Sequence, residues 1–202
     1  MSKKYDSLGD RMKGYENISR NYLTRRIPAI IRIDGKAFHT FTRGMKKPFD
    51  RILISTMQEV MKYLCENIQG CVFGYTQSDE ITLVLTDYEK ITTDAWFGYN
   101  IQKMSSIAAS MSSVAFNKFF YKAIDDYANT DEVLSSLSSE DEEKKKETKY
   151  YLSTLRGALS KGAVFDARAF SIPKDEVCNC LIWRQQDATR NSIEAVGQAY
   201  FS

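Results

Sequence analysis

The stretch Ile27-Pro28-Ala29-Ile30-Ile31-Arg32-Ile33-Asp34-Gly35 decides how this chain is read, with Lys36-Ala37-Phe38-His39 directly behind it. The run from Ile27 to Ile33 is apolar and rich in β-branched residues, as a buried strand requires. Alternation puts Ile31 and Ile33 on one face and Arg32 with Asp34 on the other. One face therefore feeds a core while the other carries a charge pair to the strand's end. Gly35 follows at once, where the backbone can turn sharply and expose its carbonyl. Asp-Gly is also a strong hairpin signal, so the pair alone reads as a simple turn or as the lip of a site.

Ahead of this strand, about the first 25 residues are basic, carry Tyr15 and Tyr22, and are expected to be helical up to Pro28. Behind it, Lys36 to Lys47 fits neither period and reads as loop with a short helical turn. Pro48 is expected to open a helix whose buried face is Phe49, Ile52, Leu53, Met57, Val60, Met61 and Leu64. Cys71–Tyr75 and Ile81–Leu85 read as strands joined by a polar hairpin loop, Thr76-Gln77-Ser78-Asp79-Glu80. Trp96 to Phe120 reads as one long helix. Residues 125–149 turn strongly charged, the mark of a solvated helical excursion or a mobile insertion. Ala163–Ile172 returns to strand composition, stopped by Pro173, and a last helix starts near Lys174. Ile193, Val196 and Tyr200 keep helical spacing to the end without a cap, so the protein is expected to continue beyond Ser202. The order strand, helix, strand, strand, helix, strand predicts an α+β fold. It is the split βαβ, ferredoxin-like arrangement, an antiparallel sheet with helices packed on it.

At 202 residues the chain supports a single domain with a sizeable core, read as one palm-like domain with a charged insertion near 125–150. No apolar run approaches a membrane span and the N-terminus has no apolar signal region, so a cytoplasmic protein without a membrane partner is expected. Cys65, Cys71, Cys178 and Cys180 form no C-x-x-C pair, and with a single histidine a zinc site is disfavoured; reduced, structural thiols are the better reading. The net charge of +2 is uneven: residues 1–51 carry 13 Lys/Arg against 5 Asp/Glu. A basic first quarter suits contacts with polyphosphates or a nucleic-acid backbone, or is simply a solvated face.

In a split βαβ fold the end of the first strand lies beside the hairpin between the second and third. Asp34 would then meet Ser78-Asp79-Glu80. Two carboxylates and the Gly35 carbonyl are hard oxygen ligands of the kind Mg²⁺ prefers, and suit a two-metal site acting on a nucleoside triphosphate. That reasoning leads to a palm-type nucleotidyltransferase or cyclase. His39, the lone histidine, reads as structural or as part of such a site. There is no G-x-x-x-x-G-K-[ST] phosphate loop and no Ser/His/Asp set.

The motifs Arg32-Ile33-Asp34-Gly35-Lys36-Ala37-Phe38-His39-Thr40-Phe41, Lys47-Pro48-Phe49-Asp50, Gln77-Ser78-Asp79-Glu80, Phe165-Asp166-Ala167-Arg168 and Trp183-Arg184-Gln185-Gln186-Asp187 resemble, in this order, the histidine-tRNA guanylyltransferase family. The resemblance implies a palm that adds nucleotides in the 3′-to-5′ direction to a tRNA 5′ end first activated with ATP, using GTP and other nucleotides as substrates. It implies that Asp34 and Asp79 bind both Mg²⁺ ions and the Gly35 carbonyl one of them, with Glu80 counted among the catalytic carboxylates. Asp34, Gly35, Lys36, Ala37, Phe38 and His39 would hold the nucleotide with Ser78 and Asp79. Lys47, His39 and Lys103 look like the family's phosphate-side and activation residues. Where the eukaryotic guanylyltransferases carry a His-Ile-Asn-Asn run, this chain reads Thr189-Arg190-Asn191-Ser192. That is more similar to the guanylyltransferase-like branch, which implies template-dependent repair of truncated tRNA 5′ ends. The alternatives are a dedicated histidine-tRNA enzyme or an RNA-binding palm without turnover. The resemblance further implies a homo-oligomer, a tetramer, and a C-terminal portion that is missing here.

Overall fold

The computed structural model describes residues 7–201. Four strands, β1 (Ala29–Gly35), β2 (Cys71–Gln77), β3 (Glu80–Leu85) and β4 (Phe165–Ser171), form one antiparallel sheet in the order β2-β3-β1-β4. Helices α3 (Arg51–Asn67) and α4 (Ile101–Ala128) pack on each other and on one face of it. Ile31 and Ile33 of β1 and Ile81, Leu83 and Leu85 of β3 are fully buried. Alternation sends them to the helical face, and sends Arg32 and Asp34 to the opposite one. The expected split βαβ order is therefore the observed one.

The differences lie at element ends. The N-terminal helix, α1 (Ser7–Ile18), stops well before Pro28, and the first six residues of the expected helix lie outside the described ones. The chain then runs extended along the start of α4, where Leu23 N–H donates to the Tyr99 carbonyl at 3.0 Å. Asp87 fixes its approach to β1 by accepting from the Arg26 amide at 2.9 Å and from the Arg25 guanidinium.

Pro48 does not open α3. The helix begins at Arg51 because the Asp50 carboxylate accepts the free amides of Ile52 (2.9 Å) and Leu53 (3.1 Å), whereas a helix opened by Pro48 would have Lys47, whose side chain has no acceptor, as its cap. Phe49 is left half-exposed, outside the buried face. The long helix likewise starts five residues later than expected. Trp96–Tyr99 is a 3₁₀ turn with left-handed Phe97 (φ 50°) and Gly98 (φ 59°), and Asn100 caps α4 by accepting Lys103 N–H at 3.0 Å.

The charged segment 125–149 is the end of α4, then α5 (Asp131–Ser138) and the first part of α6 (Glu142–Lys161). It is a docked helical excursion: Val133 is buried, and Tyr151, Leu152 and Leu155 carry α6 into the core. Acidic residues in the first turns of both helices suit the positive end of the helix dipole, and Lys161 suits the last turn of α6. The last helix, α7 (Val177–Phe201), follows a short turn at Lys174–Glu176. No helix among the described residues is long and apolar enough to cross a membrane.

Candidate active site

The site forms where β1 stops. Register places Asp34 opposite Glu80 of β3 and Asp166 of β4, with Gly35 opposite Phe165. Strands β2 and β3 run closer together than the sequence suggests, leaving only Ser78 and Asp79 as the turn, with Ser78 left-handed (φ 48°). The Gly35 amide donates to the Asp79 carbonyl at 3.1 Å, which ties the tip of this hairpin to the end of β1. Asp34, Gly35, Ser78 and Asp79 are thus brought together.

Burial raises the Asp79 carboxyl above its usual range; the Asp34 charge adds to the rise, and the Ser78 hydroxyl, donating to Asp79 Oδ1 at 3.0 Å, opposes it. Two neighbouring carboxylates that repel each other are stabilised by a cation between them. Among the described residues no group of three or more His, Cys, Asp or Glu converges on one point. Mg²⁺ does not need one, since it is commonly held by one or two carboxylates plus water and substrate phosphate. The Asp34–Asp79 pair with the neighbouring Gly35 backbone fits that donor set.

Gly35 is a glycine for a reason other than turning. Its backbone is not left-handed; that conformation falls on Ala37 (φ 55°). A Cβ on Gly35 would lie 2.2 Å from the Phe38 ring. Phe38, the first residue of the short helix α2 (Phe38–Phe41), is buried among Phe41, Phe116 and Phe165, so its ring belongs to the core, leaving its backbone for any nucleotide. The Lys36 amide is anchored on the Val164 carbonyl at 2.8 Å. Lys36, Ala37 and His39 are exposed around this corner, so the lone histidine is not a core residue.

A cleft of about 400 Å³ opens beside the hairpin, between Lys47, Pro48, Leu53, Ser78, Asn191 and Ser192. Lys47 therefore shares a wall with Ser78. Lys103 does not join them. Contacts from α4 to the start of β4, beside Gly35, come from Ser113, whose Oγ accepts Phe165 N–H at 3.1 Å. Lys103 is ten residues earlier, about 15 Å along the helix, and its ammonium sits 5.9 Å from the Phe97 ring.

Glu80 is occupied rather than open. Arg184 of α7 reaches both its carboxylate oxygens, at 2.9 and 3.3 Å, and Arg32 stands 3.9 Å away. Burial still raises its carboxyl above the usual range, against the pull of both arginines. The Trp183 ring lies 3.5 Å from the Arg184 guanidinium and 5.6 Å from that of Arg32. Residue periodicity does not reveal this clamp; only the Trp-Arg-Gln-Gln-Asp motif marked its position. Equally hidden was Tyr151 of α6, whose hydroxyl donates to Asp50 at 2.6 Å and so braces the loop that carries Lys47. The four cysteines are free, and burial beside Cys65 pushes the Cys71 thiol up to about 12.

Residues 9–173 match the family model Thg1, tRNAHis guanylyltransferase. Over 97% of its length the chain is 29% identical to the uncharacterized protein R259 of Acanthamoeba polyphaga mimivirus. Over 85% it is 24% identical to a probable tRNA(His) guanylyltransferase of Dictyostelium discoideum. It spans 64% and 54% of the lengths of these two relatives. Among solved structures, a bacterial tRNA(His) guanylyltransferase (Thg1)-like protein in complex with ATP is similar with a TM-score of 0.77 and 42% identity, covering 97% of this chain and 71% of that one. Its complex with GTP gives 0.76 and 41%, covering 98% and 73%. The Saccharomyces cerevisiae tRNA(His) guanylyltransferase, at 19% identity and 0.59 over 86% of this chain and 64% of that one, shares the fold.

Proposed function

Because this chain belongs to the Thg1 family of tRNAHis guanylyltransferases, we propose that it is a Mg²⁺-dependent nucleotidyltransferase that extends tRNA 5′ ends in the 3′-to-5′ direction. The observation that supports this reading is the bond from the Gly35 amide to the Asp79 carbonyl, which ties the hairpin carrying Asp79 to the end of the strand carrying Asp34. ATP and GTP are its proposed substrates, in keeping with the nucleotides bound to the bacterial Thg1-like protein.

Asp34 and Asp79, with the Gly35 carbonyl, would hold the ions. When bound, Mg²⁺ would lower the pKa of the attacking hydroxyl and neutralise the departing phosphate oxygens. The chain's own part is positioning. Ser78 orients the Asp79 carboxylate, the exposed Lys36–His39 corner meets the triphosphate, and Lys47 offers a point charge from the cleft wall. Lys103 would act at a separate location. The branch is proposed to be tRNA 5′-end repair, supported by Thr189, Arg190 and Ser192 standing where a His-Ile-Asn-Asn run would otherwise place His, Ile and Asn, with Ser192 lining the cleft beside Ser78. Self-association is also proposed: α1 presents Leu8, Met12, Tyr15 and Ile18 to solvent and buries nothing, a face that one copy leaves uncovered.

The test supplies ATP, GTP, Mg²⁺ and a tRNA lacking its first nucleotide. The 5′ end is expected to lengthen, and Asp79→Asn to abolish the extension. No extension, or extension that survives the substitution, overturns the reading.

A further inference from the structure

We infer that the backbone phosphates of the RNA leave the site through a basic groove that crosses α6 at Gly157. Two clefts meet there. The inner one, about 220 Å³, is walled by Thr40 of α2, Arg43 just after it, and Thr154 and Lys161 of α6. The outer one, about 630 Å³, lies between Leu137 of α5 and Lys149, Ser153 and Arg156 of α6. Gly157 lines both. Together the walls carry four cations and no Asp or Glu. Among the described residues, none of these cations, nor Thr40 or Thr154, has a side-chain hydrogen bond or ion pair.

The chain ties the inner cleft to the site at both walls: Thr40 follows Gly35 by five residues, and Lys161 precedes Phe165, the register partner of Gly35, by four. Gly157 sharpens the assignment. A glycine inside a helix costs about 0.5–1 kcal/mol relative to alanine. Packing does not require it, because a Cβ there would meet nothing within 4 Å. A helix interior with a missing side chain, open space above it and two cations on either side suits close approach of a polyanion. Backbone contacts of this kind hold a nucleic acid in register without reading its bases.

The inference rests on the proposed tRNA substrate, and the test separates the two. Binding of a 5′-labelled tRNA is followed by anisotropy between about 50 and 200 mM salt. The inner pair Arg43→Gln/Lys161→Gln and the outer pair Lys149→Gln/Arg156→Gln are each expected to weaken binding at least tenfold. Each pair should also flatten the log–log salt slope by about 1.5, at roughly 0.7–0.9 per phosphate contact, with ATP and GTP binding unchanged. Gly157→Gln removes no charge and favours the helix, so it should melt no lower than the parent yet bind tRNA more weakly. If the parent binds no tRNA, if all three variants bind it as the parent does, or if poly-glutamate competes as well as RNA, the groove assignment is overturned. Variants that bind normally beside a parent that extends tRNA leave the activity standing. Groove-dependent binding by a parent that never extends tRNA leaves the groove and removes the activity.

Discussion

Gly35→Ala separates two accounts of the glycine at the site. If backbone conformation alone decided the matter, alanine would be well tolerated at Gly35, since its φ is not left-handed. Reduced freedom of the unfolded chain would then stabilise the protein by about 0.4–1 kcal/mol. The structure points the other way. The new methyl would lie 2.2, 2.5 and 2.8 Å from three Phe38 ring atoms, so the ring must retreat by more than 1 Å to reach the ordinary contact range of 3.4–4 Å. It has nowhere to go, with ring centroids of Phe41, Phe165 and Phe116 at 5.0, 5.2 and 5.4 Å. Forcing a methyl into such a core costs about 1–3 kcal/mol, a fall in Tm of roughly 2–12 °C for a chain of this length. Urea unfolding in EDTA measures the change without metal linkage. Phe38→Ala alone should cost about 3–5 kcal/mol. In that background the clash is gone, so Gly35→Ala should become neutral or stabilising, a coupling of about 1–3 kcal/mol. An equal cost in both backgrounds, or stabilisation of the parent, would refute the steric account.

Tyr151→Phe removes the hydroxyl that donates to buried Asp50, while three backbone amides remain on that carboxylate; urea unfolding should show a loss of about 1.5–3 kcal/mol, typical of a hydrogen bond to a charged group. Arg184→Met leaves Glu80 with only the distant Arg32 and should cost about 3–5 kcal/mol, the range for breaking a buried ion pair. Adding Glu80→Gln should recover much of that loss, and no recovery would show that Arg184 acts by packing alone. Cys71, its thiol pushed up to about 12 by burial, should resist alkylation at pH 8, where about one molecule in 10⁴ is thiolate. Mass spectrometry after brief iodoacetamide treatment reads this directly, and labelling of Cys71 as fast as of exposed Cys178 would contradict it.

The sheet was legible because alternation and β-branching are local signals. Ile31 and Ile33, like Ile81 and Leu83, announce which face is buried before any partner is known. The meeting of Asp34 with Asp79 followed from the split βαβ order. Element ends were less legible, since capping depends on one side chain reaching particular amides. Asp50 and Asn100, not Pro48 and Trp96, set where α3 and α4 begin. The role of Gly35 was hidden because it depends on where the Phe38 ring points. The place of Lys103 was hidden for a related reason: helical periodicity tells which face of α4 is buried, but not which end of it lies beside the site.

One position along the chain separates the two acidic residues of the hairpin into different kinds of group. Asp79 lies in the turn, outside the strand ladder, with its carbonyl tied to Gly35 and its carboxylate accepting from the Ser78 hydroxyl. Glu80 enters β3, where alternation commits its side chain to the face that α7 covers, and Arg184 takes it. A carboxylate that is to hold a metal ion needs its oxygens free, whereas one held by a buried guanidinium at both oxygens offers fewer lone pairs for it. The geometry therefore makes Glu80 a tether. Through it α7 holds the hairpin that presents Asp79, and Trp183, lying against both arginines, keeps the tether in place. The same helix supplies Asn191 and Ser192 to the cleft beside Ser78. The cleft beside Ser78 and the ion pair that holds the hairpin thus share one helix.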